Sequence, residues 1–199
     1  MPPSQRKPRA DAQRSRTAIL DAAARILNDH PDAAVETIAA AANVTRQTVY
    51  AHFPSRELLL RAVVTRLTDL TVAAMDDADP DTGPAADALL RVLAAAARRA
   101  APYPVLLQQF AALPAAPGQD HDQHAEVADR ITRVLRRGQR SGEFTDDLPA
   151  PWLATVAIQL AHAAADENTG GRMTSAAADH AFTTTLLRVL APKQKNPAR

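Results

Sequence analysis

The chain has 199 residues, enough for one ordinary domain or for a small one joined to a medium one. Hydrophobic residues make up 46% and aromatic residues 4%, so the core must be built mainly from Ala, Leu, Val and Ile, a mixture that favours close-packed helices over a β-sandwich. The absence of cysteine excludes a disulfide framework, a thiolate metal site and a cysteine nucleophile. With no signal-like apolar run near the first residues, and no uncharged apolar stretch of about 18 residues, a cytoplasmic protein is expected. The net charge of +1 hides a polarity along the chain. Residues 1–20 hold five bases (Arg6, Lys7, Arg9, Arg14, Arg16) against Asp11, whereas residues 69–87 hold six acids (Asp69, Asp76, Asp77, Asp79, Asp81, Asp87) and no base. A basic head suits an anionic partner, and the remainder does not.

Residues 1–9, with three Pro and three bases, are expected to form a flexible basic arm. A first helix follows from about Asp11, since Ile19, Ala22, Ala23, Ile26 and Leu27 recur at the spacing of one helix face. Pro31 biases His30 away from helical dihedrals and stops it. A short second helix is predicted over 35–42, with Val35, Ile38, Ala39 and Ala42 on one side. Asn43 suits the left-handed residue that ends a helix. Thr45 caps a third helix over 46–53, Pro54 ends it, and Ser55 caps a fourth over 56–75. Residues 76–84, with four Asp, two Pro and a Gly, form a loop. Further helices are predicted over 85–100, 105–113, 122–140, 149–165 and 175–190. The expectation is an all-α protein of about nine helices without a fixed repeat: an arm over 1–9, a helix-turn-helix head over 10–56, a helical body over 57–191 and a basic tail over 192–199.

The informative window is 35–59. A short helix, a tight turn and a second short helix form the helix-turn-helix layout. Val35, Ile38, Ala39, Val44, Val49 and Phe53 are spaced to pack these helices together and onto the first. Arg46, Gln47, Thr48, Tyr50, Ala51 and His52 then face outward. The major groove admits one helix, whose N-terminal residues meet base edges. Arg46 suits guanine and Gln47 suits adenine, each through two hydrogen bonds. Thr45, Thr48, Tyr50 and His52 are placed to donate to phosphates, and Arg56, beside the open N–H groups of the fourth helix, adds another anion site. The arm's bases contribute salt-dependent, sequence-blind affinity.

Residues 19–59 resemble the DNA-binding domain of the tetracycline-repressor (TetR) family. The resemblance is carried by Ile19-Leu20-Asp21-Ala22-Ala23, by Ile38-Ala39 with Ala42-Asn43-Val44 at the turn, by Thr45 through Phe53, and by Arg56-Glu57-Leu58-Leu59. Gly-Gln-Arg-Ser-Gly-Glu-Phe at 138–144 adds weaker support. Asn43 replaces the family's usual Gly, His30-Pro31 replaces the Gly after helix one, and Ala34 replaces the Thr that opens helix two, which leaves Asp32 as the candidate cap. The resemblance implies an effector cavity in the middle of the body, where Tyr103, Leu107, Gln108, Gln109 and Phe110 lie, with His162 as a further candidate. It also implies a four-helix bundle between two subunits, and repression of an inverted-repeat operator that a small molecule relieves.

Two stripes are candidates for pairing: Trp152, Leu153, Val156, Leu160 and Ala164, and then Ala178, Phe182, Leu186 and Leu187. A buried helix inside one chain shows the same pattern. Downstream of the head no catalytic set, phosphate loop or buried carboxylate pair is visible, so neither an enzyme nor a cofactor is expected. Asp120, His121, Asp122, His124 and Glu126 have ligand-like side chains, but they suit a solvated helix start better than a metal site, and no metal is expected. The alternative to a regulator is a helical small-molecule-binding protein or enzyme that keeps the head's fold without specific DNA binding.

Overall fold

The computed structural model describes residues 6–113 and 125–192. Among the described residues there are nine helices and no strand: α1 (Arg6–Asp29), α2 (Val35–Ala41), α3 (Arg46–His52), α4 (Arg56–Asp76), α5 (Ala85–Ala100), α6 (Pro104–Ala111), α7 (Ala125–Ser141), α8 (Ala150–Thr169) and α9 (Ser175–Leu190). No described helix is long and apolar enough to cross a membrane.

α1 starts earlier than the arm expectation allowed, taking in residues 6–9. Pro8 is the third residue of that helix, where its missing N–H has no intrahelical partner to lose. Residues 1–5 lie outside the described residues, as do Asp120, His121, Asp122 and His124 of the weighed metal cluster and most of the basic tail.

The chain divides into two units: the described parts of Met1–Leu67 and Ala101–Asp120, and of Thr68–Ala100 and His121–Arg199. The first unit therefore exceeds the expected head. It takes in the first half of α4 and all of α6. Its core joins Ile19, Leu20, Ala23 and Leu27 of α1 with Ile38 and Ala39 of α2, Val49 and Phe53 at α3, Leu59, Leu60 and Val63 of α4, and Leu106 and Phe110 of α6. Side-chain hydrogen bonds bind α6 to the end of α1. Asn28 Oδ1 accepts from the N–H groups of Val105 (3.1 Å) and Leu106 (3.4 Å), which caps α6, and Gln109 Nε2 donates to the carbonyl of Leu27 (3.0 Å). These bonds satisfy helix-end groups that would otherwise lack partners.

In the second unit α7 packs against α5 and α8, and α8 against α9. Alanines and branched aliphatics share the contacts: Ala85, Ala88, Leu89 and Val92 of α5, Ile131, Val134 and Leu135 of α7, and Ala150, Leu153, Ala154, Ala157 and Ile158 of α8 are buried. The 138–144 motif is a helix stop. Glu143 and Phe144 both donate backbone N–H groups to the Gly138 carbonyl (2.9 and 3.1 Å), and Gly142 has φ +75°. The Phe144 ring lies directly on Gly138, where an added Cβ would come within 2.1 Å of it. Glu143 then reaches the start of α5, accepting from the N–H groups of Ala85 (2.6 Å) and Ala86 (3.4 Å) and from the Ser141 hydroxyl (2.8 Å).

Part of the α9 stripe expected at an interface faces inward, while Phe182 and Leu187 are half-buried. Leu186 is fully buried and Ala178 nearly so within their own unit, with Phe182 packed against the same core. The four-residue recurrence Ala178, Phe182, Leu186, Leu190 is the α9 face that closes the core, so Leu186 is a core residue and is not available to a partner. On α8 the buried face is offset from the expected stripe. It leaves Val156 and Leu160 half-buried and Trp152 58% exposed.

Candidate nucleic-acid interface

The recognition element is held by local chemistry at both of its ends. α2 closes with a left-handed Asn43 (φ 54°); the N–H of Val44 bonds the carbonyl of Ala39 (3.0 Å) and that of Asn43 the carbonyl of Ala40 (3.1 Å). That paired arrangement satisfies two terminal carbonyls and turns the chain tightly. Asn takes this conformation at little strain, so the expected glycine is not needed. Thr45 then caps α3: its Oγ1 accepts from the Thr48 N–H (3.1 Å) and sits 2.8 Å from Thr48 Oγ1. Ser55 caps α4 in the same way through Leu58 N–H (3.1 Å). α2 has no such cap. Ala34 stands at its N-cap and no side chain bonds there, so Asp32 does not take the capping role.

Val49 and Phe53 are buried and anchor α3, while Val35 and Val44 are half-buried beside them. Arg16 of α1 lies over the Phe53 ring, 5.2 Å from its centre, and Arg14 pairs with Asp11. Two of the five bases of residues 1–20 are thus engaged on their own helix or on the head's core. Arg66 of α4 forks onto Asp21 of α1, with Nε 2.8 Å from Oδ1 and Nη2 3.3 Å from Oδ2, and so fixes these two helices against each other.

The outward side of α3 presents Arg46, Gln47 and Tyr50 as exposed residues, with Thr48 and His52 half-exposed. Arg46 does not extend freely into solvent. Its Nη1 lies 2.6 Å from Glu36 Oε1 on α2, and its guanidinium sits 5.3 Å from the centre of the Tyr50 ring. The hydrogen bond to Tyr50 and the Glu36 charge both raise its pKa further above its ordinary value. Glu36 was not foreseen from the sequence, although it is the sole charge on α2 and lies one helix away from the only formal charge on the outward side of α3.

Arg56 is placed differently from the expected phosphate contact. Its guanidinium turns back to the loop between α1 and α2, donating to the carbonyls of Ala33 (2.7 Å) and Pro31. It braces the segment where His30-Pro31 departs from the family pattern. The candidate effector residues are divided between the two units. Tyr103, Leu107 and Phe110 lie in or beside α6 in the first unit, with Phe110 buried and Tyr103 packed against that unit's core, whereas His162 is an exposed residue of α8 in the second. A cleft of about 640 Å³ in the second unit is lined by Asp76, Asp79, Asp81, Asp129, Arg130 and Arg133, among others. Its walls are polar and both its arginines already paired, Arg130 with Asp76 (3.2 Å) and Arg133 with Asp81. Sites for drug-sized ligands have predominantly apolar walls.

A capped helix-turn-helix presenting hydrogen-bonding side chains, joined to a helical second unit, defines the class of helical DNA-binding regulators. Residues 19–63 match the model of bacterial regulatory proteins of the tetR family. The chain is 52% identical over 81 residues to the HTH-type transcriptional repressor LfrR of Mycolicibacterium smegmatis; that match spans 41% of this chain and only 43% of LfrR. The crystal structure of the TetR-like regulator LfrR from Mycobacterium smegmatis in complex with proflavine superposes over 91% of this chain and 99% of that one, with a TM-score of 0.67 and 32% identity. The fold alone is shared with the transcriptional regulator FadR of Bacillus subtilis in complex with stearoyl-CoA: TM-score 0.73, 16% identity, 88% of this chain and 97% of that one. The chain belongs to the tetR family of bacterial regulatory proteins.

Proposed function

We propose that the protein is a cytoplasmic transcriptional repressor that binds an inverted-repeat operator as a homodimer and is released by a small-molecule effector. The observation that carries this reading is α3: a seven-residue helix, capped by Thr45 and anchored by Val49 and Phe53, with Arg46, Gln47 and Tyr50 exposed together. In this reading Arg46 and Gln47 meet base edges, and Thr45, Thr48, Tyr50 and His52 meet phosphates. Arg56 contributes chiefly by holding the loop under α2, and its charge adds to the phosphate field. The resemblance to the LfrR repressor supports repression over activation.

Pairing through α8 and α9 uses Trp152, Val156 and Leu160, with Phe182 at the margin, and sets two α3 helices for half-sites about 34–36 Å apart. The LfrR–proflavine complex makes a planar aromatic cation the first effector class to try. Tyr103, Leu107, Phe110 and His162 are the first effector contacts to substitute. α6 offers an effector a short route to the head, because Asn28 and Gln109 tie α6 to the end of α1. An effector acts only by its different affinity for the DNA-fitting and non-fitting states.

The test is footprinting of DNA flanking the protein's own coding region across a salt series, with and without proflavine. Expected are a protected inverted repeat, affinity that falls steeply with salt, and loss of protection with the effector. Arg46→Ala combined with Gln47→Ala should abolish sequence preference while leaving the fold intact. Equal operator affinity in the double variant, or no protection at low salt, overturns the reading.

A further inference from the structure

We propose that Glu36 is a specificity-determining residue: its carboxylate engages Arg46 off the operator and so disfavours binding to DNA that offers Arg46 no guanine. The inference rests on the reading of α3 as the DNA-contacting helix.

The geometry is local. Glu36 stands in the first turn of α2 and Arg46 is the first residue of α3; Nη1 and Oε1 are 2.6 Å apart, with both side chains more than half exposed (61% and 54%). The Tyr50 ring beneath the guanidinium, 5.3 Å from it, completes a holder on the outward side of the head. Arg46 must leave or share this holder to make a two-bond contact with guanine. An exposed ion pair is weak and screened by salt, so a guanine that takes both guanidinium N–H bonds outcompetes it. Any other base does not. Arg46 then stays on Glu36, its charge is partly cancelled, and the carboxylate meets the phosphate field as a like charge. One acidic side chain thereby lowers non-specific affinity more than operator affinity, which is how a repulsive element produces specificity.

The alternative role for Glu36 is a buttress that keeps its bond while Arg46 reads the base. The two roles differ in which affinity changes. The probes are a duplex carrying the footprinted inverted repeat and a scrambled duplex of equal length, each titrated with the parent, Glu36→Gln, Arg46→Ala and the double variant across a salt series. A melting curve for each variant confirms folding. Glu36→Gln should tighten binding to the scrambled duplex about fivefold while changing operator affinity less than twofold, the range expected for an exposed ion pair. The salt slope on the scrambled duplex should steepen by roughly 0.9, one more phosphate neutralised. In the Arg46→Ala background the Glu36 substitution should lose most of its effect on the ratio. Unchanged scrambled binding, or a ratio that falls because operator binding weakens, overturns the proposal and favours the buttress. A parent that selects no DNA sequence removes the function reading itself, an outcome distinct from a selective parent whose ratio ignores Glu36.

Discussion

Arg46 of the first unit and the arginines around the acidic segment of the second are used in opposite ways. In the second unit, arginines of α5 and α7 converge on the acidic segment 76–84: Arg91 donates to the carbonyls of Ala78, Asp79 and Thr82, Arg137 to those of Asp81 and Gly83, and Arg130 and Arg133 pair with Asp76 and Asp81. In the first, Arg46 rests on a neighbouring carboxylate and a ring near solvent. The strongly acidic stretch is thus partly an internal matter, a loop held by cations from its own unit. The contrast teaches that a charge tally along a sequence separates regions but does not tell charge used inside a fold from charge offered to a partner.

The largest effect that would sharpen this contrast comes from the second unit's packing. Gly138→Ala places a methyl within 2.1 Å of the Phe144 ring, which is 4% exposed. The helix-propensity gain of Ala over Gly is smaller than the overpacking penalty. We expect a net loss of about 2 to 3 kcal/mol in denaturant unfolding. Wild-type stability in this variant would show that the turn at 138–144 repacks freely.

Paired arginine deletions test the comparison itself. Arg91→Ala removes bonds of 3.2, 2.9 and 2.9 Å to three loop carbonyls and should destabilise by about 1 kcal/mol, charged hydrogen bonds being the stronger kind but here partly solvated. Arg46→Ala should change stability by less than about 0.5 kcal/mol, as exposed ion pairs contribute little. Equal losses on thermal melting would erase the distinction between structural and offered charge.

A pH series reaches a subtler part of the second unit. The Glu143 carboxyl is held below the ordinary carboxylate range first by the Ser141 hydroxyl, then by the N–H groups of Ala85 and Ala86 and the Arg137 charge, against an opposing effect of burial. A lowered folded-state pKa means the charged form is favoured by folding. Its contribution is present above the unfolded-state pKa and is lost as pH falls through the folded value. Stability of the parent should therefore decline as pH falls through the carboxylate range and below it, and Glu143→Gln should flatten that decline by losing the contribution at neutral pH while changing little in acid. Identical acid profiles would remove Glu143 as the cap of α5.

Much of the fold was legible because its signals are local. The helical period together with caps and breakers placed the nine helices of the described residues, and Asn43, Thr45 and Ser55 marked ends that the structure closes with those residues. The packing of α1, α2 and α3 followed from spacing, whereas the share of α4 and α6 in the same core did not. What escaped depends on contacts far apart in sequence. The helix over 105–113 was visible, but nothing in it says that Asn28, 77 residues away from Val105, would tie it to α1. The α9 stripe was equally visible, and burial inside one chain looks the same as burial between two until the partner helix is known. Arg56 read as a phosphate ligand because its bonds to carbonyls 23 and 25 residues back are not encoded in its own neighbourhood.

The smallest expected effect returns to the head, at the one short helix there without a side-chain cap. Ala34 already has the extended backbone an N-cap needs (φ −70°, ψ 154°), and the Thr37 N–H reaches only its backbone carbonyl, at 3.1 Å. Ala34→Ser supplies a hydroxyl for a free N–H of the first turn and should stabilise the head by about 0.5 kcal/mol, the low end for exposed caps. Because α2 carries Glu36, a steadier α2 should also hold the Glu36–Arg46 pair more firmly, so scrambled-duplex affinity should fall slightly as melting temperature rises. A rise in melting temperature with no change in non-specific affinity would separate the helix's stability from the holder it presents, and would place the control of Arg46 in the side chains alone.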